Sequence, residues 1–492
     1  MNRMIVLLWL TALAVNGHAQ KNSFHDQAFW KTNPDVAAIK AEIAKGSDPA
    51  QLTSSSFDAT VYAINQNAPY ESILFLLSQP GNEVNKMTHD SRTYLFWAAS
   101  RGNLPVMEYL LKNGAKVDLK DSHGYSPLAF AVAGGQMNTK VYDLLIQHGL
   151  NLKKDQNHDG ANPLLIGIAN DKDLALTNYF ISKGLDLNSK DAAGNTAFNY
   201  VARTGNIELM KTLVQKGVKY TDNAFIMAAQ GGRQGANSLA VFQYLESLKL
   251  NLIASGPNGE NALAYIVRRS GQEDIMAYFI SKGADVNQPD KEGNTPFMNA
   301  AASNNEVTVL EYLSSRLKNI NQVNHKGQSA LTLAVRSNSA AVVKWLLDHG
   351  ASVQVIDKDG NNLAANLMQA YNTRNAEAFE AKLNLLTAKG LNAGATQQNG
   401  NSLYHIAVAK NDLNLLKRVK ELHVDINLKD REGYTALHRA VLIAKDTEIL
   451  KQLISFGAKK ELTTDFKETA YDLAKENEYL VKQHINTDFL KP

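Results

Sequence analysis

The sequence predicts an all-α repeat solenoid of stacked helix-turn-helix units with β-hairpin-like turns, and three observations carry that prediction. Glycines recur in one frame, at Gly124, Gly160, Gly194, Gly259, Gly293, Gly327, Gly360, Gly400 and Gly433, most of them 33 or 34 residues apart. Each turn leads into a phrase of one kind, as Asp430-Arg431-Glu432-Gly433 leads into Tyr434-Thr435-Ala436-Leu437-His438-Arg439-Ala440. A second apolar segment then closes on glycine, as in Leu110-Leu111-Lys112-Asn113-Gly114-Ala115. A fixed period of this length marks an array in which each unit needs its neighbours to bury an apolar face.

Composition agrees. Of 492 residues, 44% are hydrophobic and 20% charged, enough apolar material for a packed structure. The balance of 51 basic and 48 acidic side chains lacks the dense positive footprint that nucleic acid requires, so nucleic acid is not an expected partner. Cysteine is absent, which excludes disulfides, thiolate nucleophiles and iron–sulfur clusters. The fold must be held by burial alone.

Along the chain, residues 1–19 read as a signal peptide. Arg3 supplies the positive end, Ile5–Val15 the apolar stretch, and Gly17 and Ala19 the small residues before a cleavage site at Gln20. The apolar run is shorter than the roughly 20 residues a membrane span needs, and no other stretch is long enough. Together with the absence of cysteine, this leader predicts an exported bacterial protein of the periplasm, with no membrane span once the leader is removed.

Residues 20–56, with apolar positions at Phe29, Trp30, Val36, Ile39 and Ile43, read as a helical N-terminal cap. The array itself occupies 57–463 in about twelve units, whose turns begin near Asp58, Asp90, Asp121, Asn157, Asp191, Asp222, Gly256, Asp290, Asn324, Asp357, Gln397 and Asp430. One turn glycine is missing, near Asp222–Asn223. The frame reaches back to Ser91 and forward to Lys467, and residues 464–492 form a C-terminal capping repeat and tail. Within a unit, Ser or Thr before Pro or Ala (Ser126-Pro127, Thr295-Pro296) caps the first helix. Small pairs such as Ala98-Ala99, Ala228-Ala229 and Ala300-Ala301 allow first helices to approach closely.

The turn phrase, the second helix and closings such as Ser281-Lys282-Gly283-Ala284-Asp285-Val286-Asn287 resemble the ankyrin repeat, whose signature runs D-x-x-G-x-T-P-L-H-x-A and then L-L-x-x-G-A-D-V-N. The resemblance covers about residues 55–480. It implies a binding scaffold without catalytic activity or cofactor. Its protein partners would lie along a concave face made of turn tips and first-helix ends. Carried onto this chain, the partner-binding positions are Arg92, Arg101, His123, Tyr125, Arg203, Arg268, Arg269, Lys291, Asn294, Lys326, Arg336 and Tyr434. Basic side chains outnumber acidic ones on this stripe, Glu260, Glu292 and Asp359 being the exceptions, so an acidic partner surface is favoured.

A slower rhythm underlies the first. Asn178–Asn188 (NYFISKGLDLN) and Ala277–Asn287 (AYFISKGADVN) match at a shift of 99 residues, which points to duplication of a three-repeat block whose surface features recur.

The remaining chemistry-bearing residues have plain structural readings. His405 and His438 hold the signature's histidine position, where the ring hydrogen-bonds within the turn. His148 and His349 precede closing glycines and are placed to meet helix-end carbonyls. His123 and His158, on neighbouring tips, fall short of the three or four ligands of a zinc site, so no metal is expected. The run Gly231–Gly235 lacks the Lys-Ser/Thr of a phosphate loop. Two functional classes follow: a periplasmic scaffold for protein partners, or a secreted, toxin-associated effector acting on another cell.

Overall fold

The structure, a computed structural model, describes residues 22–232 and 235–492; the expected leader at 1–19 lies outside the described residues. The chain divides into two compact units, one up to Ala224 and one from Phe225 onward. Among the described residues it is helical throughout, and the hairpins are held by isolated bridges such as Val323 with Ser329 and Lys429 with Thr435 rather than by strands.

Each repeat is a turn and two helices. In the first unit the turn at Asp121 precedes Pro127–Ala133 and Thr139–Gln147. In the second, the turn at Asp290 precedes Pro296–Ser303 and Val307–Ser314. The expected caps are in place: Ser126 Oγ accepts from the Ala129 amide at 3.0 Å, and Thr295 Oγ1 from Met298 at 3.2 Å. First helices bury nearly all their apolar residues, Ala98, Ala99, Ala300 and Ala301 being wholly inaccessible. Residues 22–57 form short helices around buried Phe24, Trp30 and Ile39, while Val36 and Ile43 stay partly accessible.

Three sets of hydrogen bonds join one repeat to the next. At many of the tips, a backbone amide of one turn donates to a carbonyl of the preceding one: Lys291 to Asn258 at 2.7 Å, His325 to Glu292 at 2.8 Å, Lys358 to Lys326 at 2.9 Å and Arg431 to Asn399 at 3.0 Å. This contact explains the turn glycine. Gly400 has φ +82°, and a Cβ there would lie 2.7 Å from the Arg431 amide nitrogen. Where glycine is absent at the ends of the frame, Ser91 and Lys467 take the same left-handed conformation, with φ +61° and +64°.

At the closing loops, the asparagine of the closing phrase spans to the next repeat. Asn287 Nδ2 donates to Arg316 O and its Oδ1 accepts from the Lys318 amide; Asn321 and Asn427 repeat the arrangement with Gly350 and Ser352, and with Gly457 and Lys459. Between the helices, Asn304, Asn338 and Asn477 donate to the carbonyls of Val267, Ala301 and Val441. The repeat at Asp357 carries an insertion there and a longer second helix, Ala376–Ala388. Buried Lys382 on that helix donates from Nζ to Val335 O at 3.0 Å, so a lysine serves the carbonyl an asparagine serves elsewhere. Burial holds its pKa below the ordinary lysine value.

The missing turn glycine has a structural counterpart. Near Asp222 the chain passes into the helix Asn223–Gln230 without a hairpin. Thr196 Oγ1 donates to Lys219 O and Asn199 Nδ2 to Thr221 Oγ1, each at 2.7 Å, in its stead. The boundary between the two compact units falls inside that helix. The 99-residue shift carries Tyr179 and Lys183 onto Tyr278 and Lys282, and each pair meets an acid of the preceding repeat's second helix. In the first unit Asp143 accepts from Tyr179 Oη at 2.9 Å and pairs with Lys183 at 2.6 Å. In the second, Glu246 accepts from Tyr278 Oη and pairs with Lys282 at 2.5 Å.

Candidate partner-binding surface

Each turn is shaped by its first residue. Asp430 Oδ1 accepts from the amides of Glu432 and Tyr434, each at 3.0 Å, and Asp121 and Asp290 do the same in their own turns. The tight loop turns the tip side chains outward. Beneath the tips, His405 is fixed as a neutral ring: its Nδ1 accepts from the Ser402 amide at 3.1 Å, and its Nε2 donates to Tyr434 O, in the next turn, at 3.0 Å. His438 repeats this with Thr435 and Leu462. Burial pushes both imidazoles below their ordinary value, as an Nδ1 acceptor requires. His349 meets the Trp345 carbonyl at 2.8 Å. Among the described residues no cluster of metal-ligating groups forms.

The sequence-derived positions separate by exposure. Arg92 is buried, its Nε on Asp121 at 2.8 Å, its guanidinium paired with Asp90 at 3.1 Å and lying 4.2 Å over the Phe130 ring. It is removed from the partner surface because its charge ties two turns together. Asn294 is likewise drawn inward, accepting from Asn324 Nδ2 at 2.8 Å in the next turn. Tyr434 is half-buried under Arg439, whose guanidinium lies 4.3 Å from the ring centre, and Tyr125 is half-buried beside exposed His123.

Arg101, Arg203, Arg268, Lys291, Lys326 and Arg336 are exposed. Arg101 reaches Asn65 Oδ1 at 3.0 Å, and Lys326 pairs with Glu292 at 3.4 Å. Arg269, partly accessible, donates to the carbonyls of Ala229 and Gln230.

This face carries a cleft in the second unit. The cleft, of about 660 Å³, runs from the tips Lys358, Asp359, Gln398, Asn399, Arg431 and Glu432, past His405 and Arg439, to Val408, Leu442 and Ile443. Leu442 and Ile443, 44% and 52% accessible, end the first helix Ala436–Ile443. Of the sequence-derived positions only Tyr434 belongs to this repeat, and it does not line the cleft. The missed signal was available. Seven and eight residues after the cap, where Thr435 leads to Leu442 and Ile443, other repeats carry Arg203 and Thr204, Arg336 and Ser337, or Ala409 and Lys410.

Tandem turn–helix–helix units, their first helices capped by Ser, Thr, Asn or Asp and their tips joined by hydrogen bonds, define a helical repeat protein. The model for ankyrin repeats in three copies matches residues 60–157, 164–290, 225–324, 263–359, 301–384 and 367–465, and the chain belongs to the ankyrin repeat family.

Among its relatives, transient receptor potential cation channel subfamily A member 1 of Homo sapiens is 22% identical over 70% of this chain and 35% of its own length. Alpha-latroinsectotoxin-Lt1a of Latrodectus tredecimguttatus is 27% identical over 62% of this chain and 23% of its own. A putative ankyrin repeat protein of Rickettsia felis is 22% identical over 57% of this chain and 70% of its own length. The chain thus spans about a third or less of the first two relatives. Similar solved structures include the ankyrin repeat domain of Bcl-3, 20% identical over 46% of this chain and 99% of that one, with TM-score 0.36. Another is an ankyrin repeat domain from Acinetobacter baumannii, 20% identical over 37% of this chain and 92% of that one, with TM-score 0.32.

Proposed function

We propose that this chain is a non-enzymatic scaffold of the bacterial periplasm that holds protein partners along its turn-tip and first-helix face. Ankyrin repeats are general protein–protein interaction modules. The observation that carries the reading here is the cleft ending at Leu442 and Ile443: apolar side chains left open at the end of a preorganised row of hydrogen-bonded tips. Binding by such a face rests on a few well-placed side chains, with Arg and large apolar groups the usual anchors. The leader at residues 1–19 supports export.

The test is recovery of the co-purifying partner from the native host by tagged full-length chain. Replacing Arg268 and Arg269 with Glu is expected to reduce recovery, and unchanged recovery removes them from the site. Replacing Leu442 and Ile443 with Ser is expected to reduce it too, and if neither pair matters the face is not the binding surface. Localisation is read by fractionation: retention in the periplasmic extract supports the scaffold, whereas recovery in spent medium supports the secreted, toxin-associated effector.

A further inference from the structure

We propose that the row of first-helix ends in the second unit, from Arg268 to Ile443, is a track for an acidic peptide segment that carries an apolar anchor at one end. The proposal rests on the scaffold reading above and adds the chemistry of the partner.

Its basis is three cations at alternate first-helix ends, held only by neutral groups, with Ala302 and Gln369 at the ends between them. The Arg268 guanidinium donates to Asn299 Oδ1 at 3.0 Å and lies 5.4 Å over the Tyr265 ring. Arg336 donates to Asn366 Oδ1 at 2.9 Å, and Lys410 to the Gln369 carbonyl at 2.9 Å. None of the three takes part in an ion pair among the described residues. Some other cations are neutralised, Lys282 by Glu246, Lys326 by Glu292 and half-buried Arg439 by Asp430, whereas Arg101 in the first unit is likewise held by an amide, that of Asn65. The amide partners fix the cations in position without neutralising them, which leaves the row positively charged and preorganised for carboxylates.

Asn299 adds a second, independent sign. It is 94% buried, its Oδ1 accepts from Arg268, and its Nδ2 has no acceptor in the structure. A buried amide donor without a partner is costly unless something supplies one. A carboxylate seated on Arg268 supplies an acceptor beside it.

Past Lys410 the row changes character. Leu442 and Ile443 replace the cations, with Val408 and Ala409 beside them in the cleft. Arg268, Arg336 and Leu442 stand seven residues after their caps and Lys410 eight, at helix ends spread over five repeat steps. At about 8–10 Å per helix layer that is about 40–50 Å. An extended segment of roughly 12–15 residues covers it.

The probes are fluorescein-labelled peptides of about 14 residues, built from Glu and Ser with a Leu-Phe pair at either end. Two further peptides serve as comparisons, one with Lys in place of Glu and one with Glu but without the apolar pair. Anisotropy with the full chain is expected to show the Glu probe, in one of its two orientations, binding about tenfold or more tighter than the Lys probe, with affinity falling as salt rises. Replacing Arg336 and Lys410 with Glu is expected to abolish that preference. If circular dichroism shows that variant unfolded, Arg336→Gln with Lys410→Gln reads the same charge. Replacing Leu442 and Ile443 with Ser is expected to erase the advantage conferred by the Leu-Phe pair.

Equal binding of the Glu and Lys probes, or a preference that survives loss of Arg336 and Lys410, overturns the acidic track. An unchanged advantage of the Leu-Phe pair in the serine variant overturns the anchor. Either failure beside intact, face-dependent recovery of the native partner leaves the scaffold reading standing with a partner of other chemistry. Failure of both experiments removes both.

Discussion

A single backbone contact sets the demand on the turn residue. At Gly400 the chain needs a left-handed conformation, and the next turn approaches to where a side chain would begin. Gly400→Ala is therefore expected to destabilise the chain by about 2–5 kcal/mol, the sum of left-handed strain and overpacking against backbone, read from the shift of the urea midpoint.

The neutral histidines give a second expectation at this scale. Burial depresses His405 and His438 in the folded state. Above the ordinary imidazole value of 6.5 both states are neutral and stability is complete. As pH falls below it, the unfolded chain takes up protons first and stability is lost, until the folded rings titrate in turn. Urea midpoints are expected to fall between pH 7.5 and pH 5.5, and His405→Thr with His438→Thr to flatten that slope. Thr332 already fills the equivalent position in the capping box with Ser329.

At the scale of the element, cohesion lies between repeats rather than within them. The closing-loop asparagines show it: Asn321 joins two repeats through its amide nitrogen on Gly350 O and its oxygen on the Ser352 amide. Asn321→Ala removes both bonds at an exposed site and is expected to cost about 1 kcal/mol, again by urea titration, while leaving the helical circular dichroism signal intact.

Local pattern made the caps, the turn glycines and the histidine positions readable, because each is governed by residues a few places away. Arg92 was not readable in that way. Its neighbours along the chain suit an exposed tip, but Asp121 and Phe130 belong to the next repeat and draw it inward. Lys382 is a similar case. Its helical position gives no sign that the insertion before it has removed the asparagine whose carbonyl it then serves. Leu442 and Ile443 were visible as letters, and their importance emerges only from comparing the same position across repeats.

At the scale of the molecule, the 99-residue rhythm carries Tyr179 and Lys183 onto Tyr278 and Lys282, while the acid each pair meets stands at a different place in the preceding helix, Asp143 fifth in Thr139–Gln147 and Glu246 eighth in Leu239–Ser247. Each acid nevertheless meets the same Tyr and Lys, so their energetic roles should match. Asp143→Asn and Glu246→Gln are each expected to cost less than about 1 kcal/mol, as exposed ion pairs do, and to cost it equally. A strong asymmetry in urea titration would argue that only one of them is structural.

The sequence by itself determined the repeat, its period, its caps and its family resemblance, because a solenoid writes the same local instructions again and again. Tertiary structure alone decided where the array divides, at the repeat that lacks its hairpin, and which side chains on the face remain available. The reason is physical: a side chain on a tip or helix end takes its partners from the next repeat, some thirty residues away, so its exposure and its charge balance depend on stacking.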